Sequence, residues 1–168
     1  DGERLGFPVF AMDWFDPNTN NTTIGFKERG FLPEAFVNLL AMLGWNDGTD
    51  KEIFSIEELI ANFSLDRVHK GGAKFDYEKA KWFNHHYLKN ADNSFLANEL
   101  EKQLYDNAIT SERKFIESVC GLIKEKATLL KDLWSCSHFF FKKPSEYNAG
   151  VIDYFVYGQG SQPGILGC

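Results

Sequence analysis

No stretch of this chain approaches the roughly 18 consecutive apolar residues that a membrane-spanning helix needs, so no helix that crosses a bilayer is encoded. The opening Asp1-Gly2-Glu3-Arg4 lacks the charged and apolar pattern of a signal peptide, and the expected compartment is the cytoplasm. Cysteine is scarce: Cys120, Cys136 and Cys168 are odd in number and widely spaced, which excludes a disulfide framework and a Cys-x-x-Cys metal site. Cys120 falls on an apolar helical face and reads as a small core residue. Three glycosylation-like sequons, at Asn20, Asn21 and Asn62, read as chance matches without a secretory signal. No repeat of 20 to 50 residues is visible. Basic excess is also missing, since the net charge is −6, the wrong sign for a protein that binds nucleic acid over a broad surface.

What is present is a folded domain. A chain of 168 residues with 43% hydrophobic and 15% aromatic content can bury enough apolar surface to offset its ordering entropy, as one domain or two small ones. Its charge is unevenly spread. From Glu28 to Asn62 seven acidic residues face only Arg29 and Lys51, a local −5. From Arg113 to Lys143 seven basic residues outnumber Glu117, Glu125 and Asp132, a local +4. The first region is unsuited to phosphate, whereas the second offers either a basic face or an ordinary solvated helix surface.

The chain reads as mainly α, multihelical, with a small irregular or β-containing N-terminal part. Two short extended pieces are expected at Phe7–Phe10 and Thr22–Phe26, around the polar turn Asp16-Pro17-Asn18-Thr19-Asn20. The missing initiator Met and abrupt start predict a piece of a longer protein. Gly30 to Trp45 carries a legible helix, with Pro33 at its first residue, Glu34 at the positive dipole end and Gly44 as a left-handed cap. Its apolar face is Ala35, Phe36, Leu39, Leu40 and Leu43. Ser55-Ile56-Glu57-Glu58 is a capping box for a helix to about Phe63, and Asp76 caps another from Tyr77 to about Lys89. The run from Asn90 to Ser94 reads as a linker, with Ser94 capping a helix to about Asn107. Ser111 then caps a last long helix reaching Trp134 or Ser137, striped by Phe115, Val119, Leu122, Ile123, Leu129, Leu130 and Leu133. The glycine-rich tail from 149 to 168 receives no assignment.

Chemistry is sparse. His85 and His86 point about 100° apart on one helix and, with His69, form no metal-ligand spacing. Gly71-Gly72-Ala73-Lys74 lacks the spacing of a phosphate loop, and no nucleophile has a base and an orienting partner. No catalytic residue and no metal ligand is expected. Trp82, Phe83, Tyr87 and Trp45 read as packing anchors rather than base-stacking platforms.

Four blocks nevertheless resemble one family. Phe75-Asp76-x-x-Lys79-x-x-Trp82-Phe83-Asn84-x-x-Tyr87, Gly30 to Trp45, Glu52-Ile53-Phe54-Ser55 and Leu65-Asp66-Arg67-Val68 look like the text that glutamyl-tRNA synthetases of bacterial type carry, in the same order and spacing. Asp1 to Phe10 is similar to the segment directly after the Lys-Leu-Ser-Lys-Arg loop in some bacterial members. The resemblance covers roughly residues 1 to 148. It implies a parent enzyme, monomeric and using ATP and magnesium, that activates glutamate as an adenylate and passes it to tRNA(Glu), with no DNA or membrane partner. It also implies that this piece lacks the catalytic domain, neither binding ATP nor aminoacylating. Residues 1–92 would be a stem-contact region and 93–148 the first helical anticodon-binding subdomain. Candidate RNA contacts are Arg67, Lys70 and Lys74 in the glycine-containing loop. Lys124 and Lys126 join them where family members often carry Arg, and lysine there favours phosphate contact over base reading. A glutaminyl-tRNA or non-discriminating ligase, and a helical protein-interaction module, are the alternative readings.

Overall fold

Asp16 sets the first element. Its carboxylate accepts the Asn18 N–H at 2.9 Å and the Thr19 hydroxyl at 2.7 Å, closing a turn in which Asn20 takes a left-handed φ of 55°, a conformation Asn tolerates. The antiparallel strands β1 (Trp14–Asp16) and β2 (Asn21–Thr23) flank this turn, with Trp14 opposite Thr23. β1 therefore lies beyond the extended piece expected at Phe7–Phe10, and β2 starts one residue before the piece expected at Thr22–Phe26 and stops at Thr23, because the Asp16 turn fixes the register. Phe10 and Ala11 instead accept backbone bonds from Phe26 and Lys27. The computed structural model describes residues 8–142 apart from Ala73; Phe7, Lys143 and the tail from 149 lie outside the described residues.

A single turn, α1 (Phe26–Arg29), ends at Gly30, whose φ is 96°. The Phe31 N–H reaches back to the Phe26 carbonyl at 3.1 Å, the six-to-one bond of a left-handed helix cap. α2 (Pro33–Met42) starts with Pro33 and Glu34 where their chemistry favours them. Its inner face is Ala35, Asn38 and Leu39, while Leu40 is 49% exposed, so the expected apolar face is narrower and contains a buried amide. Its end also differs. Leu43 stays right-handed and Gly44 has no left-handed φ, because Gly44 and Trp45 both donate to the Ala41 carbonyl and buried Trp45 pulls the chain inward.

α3 (Ile56–Asn62) has both halves of its capping box, with Ser55 Oγ accepting from Glu58 N at 3.2 Å and a Glu58 carboxylate oxygen accepting from Ser55 N at 3.0 Å. A 3-10 turn at Leu65–Arg67 leads to α4 (Tyr77–Asn90), where Asp76 accepts the Glu78 and Lys79 N–H groups at 2.9 and 3.1 Å. α5 (Asn93–Asp106) comes after two residues, with Asp92 rather than Ser94 at the cap position and no side-chain cap bond. Ser94 lies inside the helix, its carbonyl taken by Arg113 at 2.6 Å.

The expected last long helix is two helices, α6 (Arg113–Ile123) and α7 (Asp132–Phe141), and Glu112 rather than Ser111 holds the cap position. Local and long-range bonds together impose the break. The Asp132 carboxylate accepts Thr128 and Leu129 N–H groups, Leu130 N–H donates to Gly30 O at 2.9 Å, and the Gln103 amide bonds both Leu130 O and Trp134 N. The buried face of α6 is Ile116, Val119, Cys120 and Ile123, whereas Phe115 and Leu122 point outward, Leu122 being 67% exposed. α5, α6 and α7 pack together, and α2 packs on α4 and α3. One core joins Leu32, Ala35 and Leu88 to Leu96, Leu100, Val119, Cys120 and Leu133, so it crosses the stretch from Asn90 to Ser94. Two smaller clusters surround Phe26 with Phe83 and Trp45 with Phe54.

Three polar side chains tie the core together. Asn84 is fully buried, accepting the Leu32 N–H at 2.7 Å and donating to the Thr128 carbonyl at 2.6 Å. Asn38 donates to Glu52 O and accepts from Phe54 N. The Tyr87 hydroxyl lies 2.7 Å from the Asn38 oxygen and 2.6 Å from the Phe54 carbonyl, two acceptors for its one proton.

Cys120 sits in this core, and burial pushes its thiol up to about 11. Native chain at pH 8 should therefore leave Cys120 unalkylated by iodoacetamide while urea-unfolded chain is modified there, as peptide mass spectrometry reads directly. The unfolded thiol loses its proton near 9 and the folded one near 11. Cys120's contribution to stability should accordingly fall as pH rises through that window, the unfolded state then binding fewer protons. Equal alkylation in both states would contradict the packing.

Candidate nucleic-acid interface

The loop carrying Arg67, Lys70 and Lys74 is laid across the end of α2. Val68 forms an isolated antiparallel bridge with Trp45, and the His69 N–H donates to the Gly44 carbonyl at 2.8 Å. His69 Nε2 meets the Asn46 side-chain nitrogen at 2.9 Å. Arg67 is exposed but engaged, its guanidinium donating to the Asp47 carbonyl. The Asp47 carboxyl itself is held below its ordinary pKa by the Thr49 hydroxyl and amide, with the Arg67 charge a smaller contribution. Lys70 and Lys74 are exposed on either side of Gly71-Gly72, and neither is engaged among the described residues. Lys74 borders a cleft of about 240 Å³ with Leu39, Met42, Leu43, Asp76, Lys79 and Phe83. Lys79 is already paired with Glu52.

The second set is divided in the same way. Lys124 is half-buried at the end of α6 and donates through Nζ to the Ala91 carbonyl at 3.1 Å, stapling α6 to the α4–α5 joint. Lys126 is exposed, while its neighbour Glu125 pairs with Lys89 at 2.8 Å. Arg113 is consumed by Glu117, Glu101, Asn98 and Ser94, and Lys142 lies over the Trp134 ring at 5.2 Å. Part of this region's basic character is thus engaged inside the fold. Lys114, Lys126 and Lys131 are its exposed described cations without a partner.

The two sets sit at opposite ends of α4, since Lys74 precedes its cap Asp76 and Lys124 touches its C-terminal neighbour Ala91. A 14-residue helix holds them about 20 Å apart. Between them lies a residue read as a packing anchor that is not one. Trp82 is 48% exposed, whereas Phe83 beside it is fully buried, as a 100° step around a helix demands. With Lys81, His85, Thr128, Leu129 and Asp132 it walls an open cleft of about 520 Å³. The signal was available, because Trp82 and Phe83 cannot both face one core. His85 Nδ1 lies 2.9 Å from the Ala127 carbonyl, so its ring joins α4 to the α6–α7 loop.

The best-placed carboxylates, Asp76, Glu58 and Asp132, are occupied by backbone N–H groups, and no group of three or more His, Cys, Asp or Glu among the described residues could hold a metal ion. No described helix is long and apolar enough to cross a membrane.

Comparison with known proteins agrees with the sequence blocks. Residues 18–82 match the family model described as tRNA synthetases class I (E and Q), catalytic domain. That match carries the catalytic-domain description into the region expected to contact the tRNA stem. The chain is 50% identical over 148 residues to a glutamate–tRNA ligase of Christiangramia forsetii and 46% identical to one of Phocaeicola vulgatus, covering 88% of itself and 29% of each relative. Crystal structures of a glutamate–tRNA ligase from Elizabethkingia meningosepticum, in complex with its amino acid, and of a glutamate–tRNA synthetase from Elizabethkingia anophelis superpose with TM-scores of 0.84 and 0.83. Their identities are 42% and 44%; each match covers about nine-tenths of this chain and 30% of the other. By sequence and by structure the chain matches bacterial glutamyl-tRNA synthetases, and it spans under a third of the length of those relatives.

Proposed function

We propose that this chain is the RNA-binding portion of a cytoplasmic, monomeric glutamate–tRNA ligase, whose whole length attaches glutamate to tRNA(Glu) at the expense of ATP. The observation that carries this reading is the ordered likeness to such ligases along nine-tenths of the chain. Glutamate activation, with its ATP and magnesium, is assigned to polypeptide outside this chain, and the chain's share is to hold the tRNA. Residues up to about 92 face the stem and residues 93–148 form the first anticodon-binding subdomain. Lys70, Lys74 and Lys126 supply phosphate contacts, being exposed cations without a partner among the described residues. Arg67 and Lys124 act one step back, by holding the loop and the α4–α5 joint in shape.

The test is binding of transcribed tRNA(Glu) across a salt series. Glu at positions 70, 74 and 126 should weaken binding at least tenfold and flatten the slope of log affinity against log salt, each lost phosphate contact removing somewhat less than about one unit. Lys124→Ala should instead lower the melting temperature. No measurable binding of the wild-type chain at low salt would overturn the assignment, and charging of both glutamate and glutamine tRNAs by the whole ligase would correct the stated specificity.

A further inference from the structure

The face of α2 away from the basic loop carries a second surface feature. Pro33, Glu34, Val37, Phe54, Ile56 and Leu59 line a groove of about 210 Å³ between α2 and α3. A shallower depression of about 410 Å³, which includes Tyr87, Asp92 and Phe95, continues from it and shares Glu34 as a wall. The floor is apolar and open: Val37 is 39%, Ile56 45% and Ile60 on the next turn 75% exposed. The rim is acidic. Glu34 and Asp92 are exposed and have no ion-pair partner among the described residues, and neither Lys nor Arg lines either depression. The Tyr87 hydroxyl is pushed up by burial, with Glu34 a smaller contribution, and the neighbouring Glu58 is already paired with Lys51.

We propose that this groove docks a basic amphipathic helix of a protein partner. An exposed apolar strip at helical spacing, Pro33, Val37 and Leu40, accepts the apolar ridge of another helix, and the unpaired carboxylates select lysine or arginine on its flanks. Phosphate is repelled by the same carboxylates. A symmetric contact between two copies would set acidic rim against acidic rim, which disfavours self-association.

The probe is a fluorescein-labelled peptide with leucines along one helical face and lysines elsewhere, its partner a copy with glutamates for the lysines, both read by anisotropy. The lysine peptide should bind and the glutamate peptide should not. Val37→Asp, Ile56→Asp and Glu34→Lys should each weaken binding about tenfold or more, as loss at the centre of an interface does. Asp106→Lys, a reversal on α5 outside the groove, should leave it unchanged. Val37 and Ile56 are partly exposed, so these variants should keep the wild-type melting temperature. Equal loss with Asp106→Lys, or binding of both peptides, would overturn the proposal as unspecific attraction. A dimer in sedimentation that Val37→Asp dissolves would overturn it in favour of self-association. Binding by this chain but not by the whole ligase would overturn it by showing the groove covered in cis.

Discussion

Asn84→Leu should destabilise the chain markedly, although it exchanges one buried side chain for another of similar size. Asn84 has no solvent access, and its two polar ends serve backbone groups far apart in sequence, the Leu32 N–H ahead of α2 and the Thr128 carbonyl in the α6–α7 loop. Leucine would leave both without a partner. The orphaned buried Leu32 N–H costs about 1–3 kcal/mol and the part-buried Thr128 carbonyl adds less, against a typical domain stability of about 5–15 kcal/mol. Urea unfolding should show the midpoint falling steeply at unchanged slope, since the surface exposed on unfolding is the same. Asn84→Asp should not rescue it. Aspartate keeps an acceptor for Leu32 but turns a second oxygen on the Thr128 carbonyl. A wild-type midpoint for Asn84→Leu would mean that water satisfies those groups and that the tie is dispensable.

The same tie accounts for the spacing of the sequence blocks. Asn84 and Tyr87 lie in one block, whereas Asn38 and Leu32 lie in another. Their polar atoms bond to one another's segments across the core. The blocks are legible as text because the fold needs those residues at those spacings. Local elements were legible for a related reason. The starts of α3 and α4 are set by Ser55, Glu58 and Asp76 acting within three residues, so the sequence alone displays them. The break between α6 and α7 was not legible, since Lys124 to Lys131 contains neither Gly nor Pro and apolar spacing runs on through it. Gly30 and Gln103 impose that break from distant segments, and Asp132 only seconds it locally through the Thr128 and Leu129 N–H groups. The same limit applies to the site. Lysines can be counted in a sequence, but that Arg67 is spent on Asp47 and Lys124 on Ala91 depends on contacts across 20 and 33 residues.

Gly30→Ala should destabilise the chain severely, while the same exchange at Gly44 should stabilise it slightly. Gly30 sits at φ 96°, and a Cβ there would lie 3.0 Å from the backbone nitrogens of both Leu130 and Lys131. The left-handed backbone costs an L residue about 1–2 kcal/mol, and crowding against packed backbone adds about 1–3 kcal/mol. The crowded atoms belong to the loop that donates to the Gly30 carbonyl through Leu130 N–H. The strain would therefore part the α1–α2 joint from the α6–α7 loop, the same two segments that Asn84 ties from the other side. Gly44 is neither left-handed nor near any atom a Cβ would meet, so Ala there should raise stability by about 0.4–1 kcal/mol through the unfolded chain. Measured side by side in urea, the two variants should move in opposite directions. Because Gly30 and Asn84 act on one joint, the double variant should lose less than the sum of the singles, the first change having already freed the contact that the second would break. Strict additivity would place them in separate structural units.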